Sequence, residues 1–86
     1  VFTRYLAKEL GPRKITVNVI APGITATDFT ADALSKPGAN EAVSKNIAFG
    51  RVGQPEDIAG AVSVLCADEA GWITAQRVEA SGGMLL

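Results

Sequence analysis

The sequence predicts an α/β fold built on a parallel sheet, in the order helix, strand, two short helices, helix, strand. An almost wholly apolar, β-branched run at Ile15–Ala21 is typical of a central strand covered on both faces. A proline-led amphipathic segment from Pro55 to about Asp68 predicts a long helix, and Gln76–Ala80 predicts a second strand. A strand, a helical crossover and another strand form a parallel unit with a right-handed connection.

The composition excludes several classes of protein. At 86 residues the chain is long enough for one domain at most. Its hydrophobic content of 48% is typical of a folded core and too high for a disordered chain. The 8 basic and 9 acidic residues give a net charge of −1 without a long run of either sign. We therefore expect no nucleic-acid partner. No apolar run is long enough to cross a bilayer, so we expect no membrane partner.

Histidine and cysteine usage limits the chemistry further. The chain has no histidine, which excludes a His-dependent triad, and a single cysteine, Cys66. Neither residue type is numerous enough for a zinc site, so no metal site is expected. A lone cysteine cannot form an internal disulfide, which favours a reducing, cytoplasmic location. Its place on an apolar helix face predicts a small core residue.

The first helix is expected to be entered midway, because the chain begins inside an amphipathic pattern with no capping residue and no initiator methionine. Five apolar residues fall at helical spacing: Val1, Phe2, Tyr5, Leu6 and Leu10. Gly11 is then predicted as a left-handed C-cap, since Pro12 cannot continue the helix.

The segment between the first strand and the long helix gives weaker signals. The strand is predicted to stop at Pro22-Gly23. Thr27-Asp28 predicts the start of a short helix ending at about Leu34, and a second short helix is predicted over Glu41–Ile47. Residues 28–49 are therefore interpreted as either a mobile flap or a plain surface excursion.

The long helix is well marked at its start. Pro55 stands at the first helical position, and Glu56 and Asp57 meet the positive end of the helix dipole. One apolar face follows, formed by Ile58, Ala61, Val62, Leu65 and Cys66. Two parallel strands alone cannot cover both faces of Ile15–Ala21, so further partners are expected, from additional sequence or another subunit.

Three stretches together resemble a known family. They are Ile15–Gly23 with Thr27, Gly50–Ala59, and Trp72–Gln76 with the glycine pair Gly82-Gly83. In this order and spacing they resemble the C-terminal part of short-chain dehydrogenases/reductases, in the type that includes 3-oxoacyl-carrier-protein reductases. The resemblance implies that residues 1–86 form the C-terminal part of a Rossmann-type, doubly wound parallel sheet.

The resemblance also implies a function. Such proteins use NAD or NADP to interconvert a small-molecule carbonyl and an alcohol by hydride transfer, commonly as homodimers or homotetramers. Carried onto this sequence, Pro22 would pack on the nicotinamide ring and Gly23 would allow close backbone approach. Thr25 would offer its backbone amide to the carboxamide and Thr27 its hydroxyl, while residues 28–49 would cover the substrate.

The sequence departs from the family pattern in several places. Ala75 stands where the family usually has glycine, which predicts a strained positive φ, and Ser81 replaces an acidic residue or asparagine. Tyr5 is followed four positions later by Glu9 instead of the lysine of the family's catalytic pair. We therefore assign no catalytic residue, expect Tyr5 on a packed helix face, and expect the 86-residue chain alone to be inactive.

Other polar and aromatic residues are interpreted as structural. Asn18, in an apolar strand, is expected to need hydrogen-bond partners if it is buried, and Trp72 is expected to anchor the turn before the last strand. Arg51 is expected to pair with Asp57 across the loop. The apolar residues of the flap face either substrate or core; they are Phe29, Leu34, Ile47 and Phe49.

Two other classes of function stay open. The chain is alternatively a non-catalytic assembly module that dimerises or docks through its exposed strand and helix faces. A third hypothesis is an unrelated parallel βαβ domain whose Pro22-Gly23 turn binds nothing.

Overall fold

The structure, a computed structural model, describes all 86 residues. Strands β1 (Val19–Pro22) and β2 (Arg77–Ala80) pair in parallel and are connected through the helices. The helices are α1 (Phe2–Leu10), α2 (Ala31–Ser35), α3 (Ala39–Ser44) and α4 (Pro55–Leu65). The predicted element order and the parallel pairing are confirmed. None of the helices has the length and apolar character needed to cross a membrane.

Strand β1 is shorter at its start than predicted, and Pro22 belongs to it. Its register pairs Val19 with Arg77 and Pro22 with Ala80. Before this ladder, the backbone N–H of Val17 donates to Thr74 Oγ1 at 3.0 Å, a side-chain acceptor. A regular ladder needs an extended backbone beside it, and the neighbouring segment of this chain becomes an extended strand only at Arg77. Sequence patterning detects apolar extended residues but not where their partner begins.

Helix α4 begins as predicted, whereas the end of α1 does not follow the prediction. Pro55 is the first residue of α4, and Gln54 with Asp57 forms a capping box. Gly11 is right-handed, with φ −54°, so its assignment as a left-handed C-cap is wrong. The chain continues as a 3-10 turn over Gly11–Arg13 and reverses at Lys14, φ 60°. Pro12 fits the start of that turn because its missing N–H has no partner there to lose.

The two short helices exist, with shifted boundaries. Helix α2 begins at Ala31, later than Thr27-Asp28, because the N–H of Thr27 donates to Thr30 Oγ1 at 2.9 Å and makes a separate turn. Helix α3 spans Ala39–Ser44 and follows Gly38, whose φ is +76°. The predicted break between the two helices is confirmed.

The chain buries little of itself. Only five residues are buried, and the accessible surface is 6576 Å². A compact protein of this mass would expose about 4,800 Å². The radius of gyration is 15.7 Å, against about 12 Å for a compact domain of this length. Helix α4 packs on the sheet, but several large apolar side chains lie exposed: Val1, Phe2, Phe29, Phe49, Val64 and Leu86.

Three predictions of packed side chains are wrong within this chain. Tyr5 is 73% exposed and Trp72 is 98% exposed. Cys66 is exposed as well, at the end of α4. No element of the chain covers these positions, and a periodic pattern shows which face is apolar without supplying the surface that covers it. Asn18, by contrast, is bonded as predicted: its Nδ2 donates to Ile73 O, and its Oδ1 accepts from Gln76 N.

Candidate functional site at the carboxyl end of the strands

The predicted site residues come together in one cavity. Pro22, Gly23, Thr25 and Thr27 all line an open cavity of about 550 Å³ beyond the carboxyl end of β1. The first turns of α4 form another part of its wall. Ligands of open α/β sheets bind at this edge of the sheet, so the location suits a binding site.

Position 23 requires glycine because its backbone lies very close to Ser81, the residue that follows β2. Its N–H donates to Ala80 O at 3.1 Å and so extends the strand pairing by one residue. A Cβ at position 23 would lie 2.6 Å from the Ser81 Cβ and 2.7 Å from the Ser81 Cα. Only a residue without a side chain fits there, and this contact between neighbouring chain segments was not predicted from the sequence.

Thr25 is the buried polar residue of the cavity. It is 8% exposed, and its Oγ1 donates to Gly23 O at 3.0 Å. Its carbonyl oxygen accepts from Thr30 Oγ1 at 2.7 Å. The role of Thr30 was missed by sequence reasoning, because its hydroxyl bonds the backbone of Thr25 and Thr27 earlier in the chain, a contact that no local pattern marks.

The backbone on either side of Thr25 is held by Gly53. The Gly53 N–H donates to Ile24 O at 3.0 Å, and the Ala26 N–H donates to Gly53 O at 2.8 Å. In such a parallel bridge the middle residue turns its own N–H and C=O away from the partner. The Thr25 N–H donates to no acceptor within the chain. In a residue that is only 8% exposed, this unbonded N–H is available to an acceptor outside the chain.

Thr27 offers a hydroxyl group at the rim. The residue is exposed, and its Oγ1 lies 3.4 Å from Thr30 Oγ1, at the long limit of a hydrogen bond. This hydroxyl therefore has bonding capacity left for a ligand in the cavity.

Arg51 and Asp57 form the predicted ion pair. Arg51 Nη1 lies 2.8 Å from Asp57 Oδ2, and Arg51 Nη2 lies 3.2 Å from Asp57 Oδ1, a two-point contact. Asp57 Oδ2 also accepts from the Gln54 N–H at 2.7 Å. The hydrogen bond from Arg51, followed by that from the Gln54 backbone, lowers the pKa of Asp57 to about 2.

The flap residues do not share one environment. Ile47 is buried at 4% exposure, whereas Phe29 and Phe49 are 97% and 77% exposed. The end of the flap is tied to the glycine pair, since the Ala48 N–H donates to Gly83 O and the Phe49 N–H to Gly82 O. Ile47 therefore packs in the core of this chain, while Phe29 and Phe49 contact little of it.

Comparisons with known proteins identify the family. The family described as enoyl-(acyl carrier protein) reductase matches residues 1–85. A curated relative, 3-oxoacyl-[acyl-carrier-protein] reductase of Haemophilus influenzae, is 44% identical over 85 residues, which cover 99% of this chain and 34% of the relative.

Two solved structures agree with this result. The 4-hydroxyisoleucine dehydrogenase complexed with NADH superposes with a TM-score of 0.87 at 30% identity, covering 95% of this chain and 34% of that one. An NADPH-dependent reductase involved in bacilysin biosynthesis gives a TM-score of 0.83 at 34% identity, with the same coverage of 95% and 34%. The chain thus spans about a third of the length of these proteins. It belongs to the short-chain dehydrogenase/reductase family, and its α/β fold is part of that family's Rossmann-type parallel sheet.

Proposed function

We propose that the chain is part of an NAD(P)-dependent oxidoreductase that interconverts a carbonyl and an alcohol on a small molecule. The observation that carries the proposal is the gathering of Pro22, Gly23, Thr25 and Thr27 around one cavity at the carboxyl end of β1. The names of the two solved relatives, one complexed with NADH and one NADPH-dependent, support a nicotinamide cofactor of either kind.

Each residue has a distinct task in this proposal. The unbonded Thr25 N–H donates to the carboxamide of the nicotinamide, and the free hydroxyl of Thr27 adds a second polar contact. Pro22 gives the ring a flat apolar surface, and Gly23 keeps the turn close to Ser81. The bound cofactor supplies the hydride. Orienting its ring selects the face from which hydride leaves, which is a positioning contribution to the rate.

The chain is proposed to bind and position the cofactor without supplying the acid–base chemistry. Tyr5 lacks a lysine at the fourth following position, where Glu9 stands. We therefore expect no turnover by the 86-residue chain alone. Residues 28–49 are proposed to cover the substrate, because Phe29 and Phe49 in this segment leave apolar surface exposed, at 97% and 77%. The active assembly is proposed to be a homodimer or homotetramer.

The test is a titration of the full-length protein with NADH and NADPH, followed by nicotinamide fluorescence. Thr27→Val removes the hydroxyl and keeps the side-chain shape, so the Kd should rise about five-fold for a bond of about 1 kcal/mol. Thr16→Val is the matched control, since Thr16 lies outside this cavity. Binding of neither dinucleotide, or equal Kd values for both variants, would contradict the proposal.

One observation favours the assembly module as a second candidate. The outer face of α1 is apolar and exposed, with Phe2 at 76% and Tyr5 at 73%. If assembly is the whole function, sedimentation should show a stable oligomer while both dinucleotides fail to bind. A monomer with no affinity for an apolar dye would exclude this candidate.

A further inference from the structure

Arg51 and Asp57 lie outside the proposed cofactor cavity, on the other side of the segment that contains Thr25. They line a separate cavity of about 220 Å³ that shares only Ile24, Thr25 and Ile58 with the first. The pair therefore does not touch a ligand bound beside Pro22 and Thr27. Any influence on cofactor binding has to pass through the chain between the two cavities.

The structure contains such a connection. Asp57 holds the loop before α4 by accepting from the side chain of Arg51 and from the backbone N–H of Gln54. Arg51 Nη1 also donates to Val52 O at 3.3 Å. Residues 51–54 are thereby fastened to the first turn of α4. Gly53 lies within this fastened loop.

Gly53 links this loop to the segment that contains Thr25 through backbone hydrogen bonds. It bonds Ile24 O and the Ala26 N–H at 3.0 and 2.8 Å, and these two residues flank Thr25. Gly53 also lies next to this segment: a Cβ there would be in van der Waals contact with Ile24 O at 3.4 Å and Thr25 Oγ1 at 3.5 Å. A displacement of the loop must therefore move the backbone of Thr25, including its unbonded N–H.

We propose that the Arg51–Asp57 ion pair is a positioning device for the cofactor, aligning the Thr25 amide through the Gly53 bridge. The proposal rests on the function proposed above and adds to it two positioning residues that contact neither cofactor nor substrate. Both side chains are about half exposed, at 55% and 42%, and ion pairs exposed to this degree contribute little to folding. Geometry matters more, since small misplacements of a binding group are costly.

The experiment measures steady-state kinetics of the full-length protein with NADH or NADPH and a carbonyl substrate. Asp57→Asn breaks the ion pair and keeps an oxygen that can cap α4, while Arg51→Met removes the guanidinium. We expect each variant to raise the cofactor KM about five-fold, with the substrate KM and the thermal midpoint close to wild type. Arg51→Lys, which keeps the charge but loses the two-point contact, should fall between.

Glu56→Gln is the matched control. Glu56 is exposed in the first turn of α4, next to Asp57, and makes no ion pair. Its cofactor KM should equal that of the wild type. If Asp57→Asn does not fold, Arg51→Lys and Arg51→Met carry the test, because both leave the Asp57 cap in place.

Two outcomes are distinguishable. If the wild-type protein binds a dinucleotide but Asp57→Asn and Arg51→Met keep its cofactor KM, or lower only the thermal midpoint, the positioning role is overturned and the proposed function stands. If the wild-type protein binds neither NADH nor NADPH, the proposed function fails and the positioning role fails with it.

Discussion

The carboxyl end of the sheet and helix α1 are organised in opposite ways. At the carboxyl end, Thr25 and Val52 are buried, and Gly53 holds the Thr25 segment through two backbone hydrogen bonds. On α1 only Ala7 is buried, while Phe2 and Tyr5 present most of their surface to solvent. The first region is held by several local hydrogen bonds, with the Thr25 N–H left free, and the second is apolar and uncovered.

The difference shows that the two kinds of interaction need different amounts of chain. Hydrogen bonds and ion pairs are satisfied by a few neighbouring groups, so the loop around Gly53 closes within these 86 residues. Apolar burial needs a large complementary surface, and a chain of this size provides little. The site is therefore locally defined, whereas the stability of the elements that carry it depends on more surface than the chain offers.

The largest effect is expected for the 86-residue chain expressed alone. With five buried residues and 6576 Å² of accessible surface, it should bind the apolar dye ANS and show no cooperative thermal transition. Amide exchange should be fastest in α1 and slower around Gly53, where backbone bonds are concentrated. A sharp transition without dye binding would mean that the apolar faces are covered by association of copies, and sedimentation would detect it.

A large effect is also expected for Gly23→Ala in the full-length protein. The new Cβ overlaps the backbone of Ser81, so the free energy of unfolding should fall by about 1–3 kcal/mol, and dinucleotide affinity should fall too. Gly60→Ala is the control within α4, where a Cβ meets nothing within 4 Å. That variant should stabilise the protein by about 0.5–1 kcal/mol. Equal effects in denaturant titrations would contradict the close approach at Gly23.

A smaller gain is expected for Ala75→Gly. Ala75 has φ 62°, a conformation that glycine adopts more easily, as the departure from the family pattern predicted. The substitution should stabilise the protein by about 0.5–1 kcal/mol in denaturant titrations. Ala42→Gly, on the exposed face of α3, should have the opposite sign because it loosens a right-handed helix. A loss of stability at position 75 would argue against its left-handed backbone.

The smallest effect is expected in the free energy of unfolding at acid pH, measured by denaturant titrations at a series of pH values. The pKa of Asp57 is lowered from 3.8 to about 2 by the hydrogen bond from Arg51 and then by that from the Gln54 backbone. Because the folded pKa is below the unfolded one, the carboxylate stabilises the fold above pH 3.8, and this contribution disappears as pH falls toward about 2. In Asp57→Asn, the free energy of unfolding should therefore change less with pH between 3.8 and about 2 than in the wild type. The same pH dependence in Asp57→Asn and the wild type would show that the ion pair does not persist in solution.

Local signals predicted much of the fold, and the family resemblance predicted the residues of the site. The family resemblance singled out Pro22, Gly23, Thr25 and Thr27, which line one cavity, whereas local signals alone marked Pro55 with its acidic neighbours as the start of α4 and Pro22-Gly23 as the end of the first strand. Such features depend on the residues themselves and their nearest neighbours. The left-handed cap was placed wrongly at Gly11, because the choice between Gly11 and Lys14 depends on how the turn continues after Pro12.

The sequence by itself determined the order of elements, the breaks between them and the Arg51–Asp57 pair, since each depends on local signals or short spacing, while the positive φ at Ala75 was expected only from the family resemblance. Only the tertiary structure decided that Gly23 lies against Ser81 and that Gly53 holds the Thr25 segment, because these contacts join segments far apart in the chain. It also decided which apolar residues are covered. Burial depends on the surface that a fold brings against a side chain, and no periodicity along one segment contains that information.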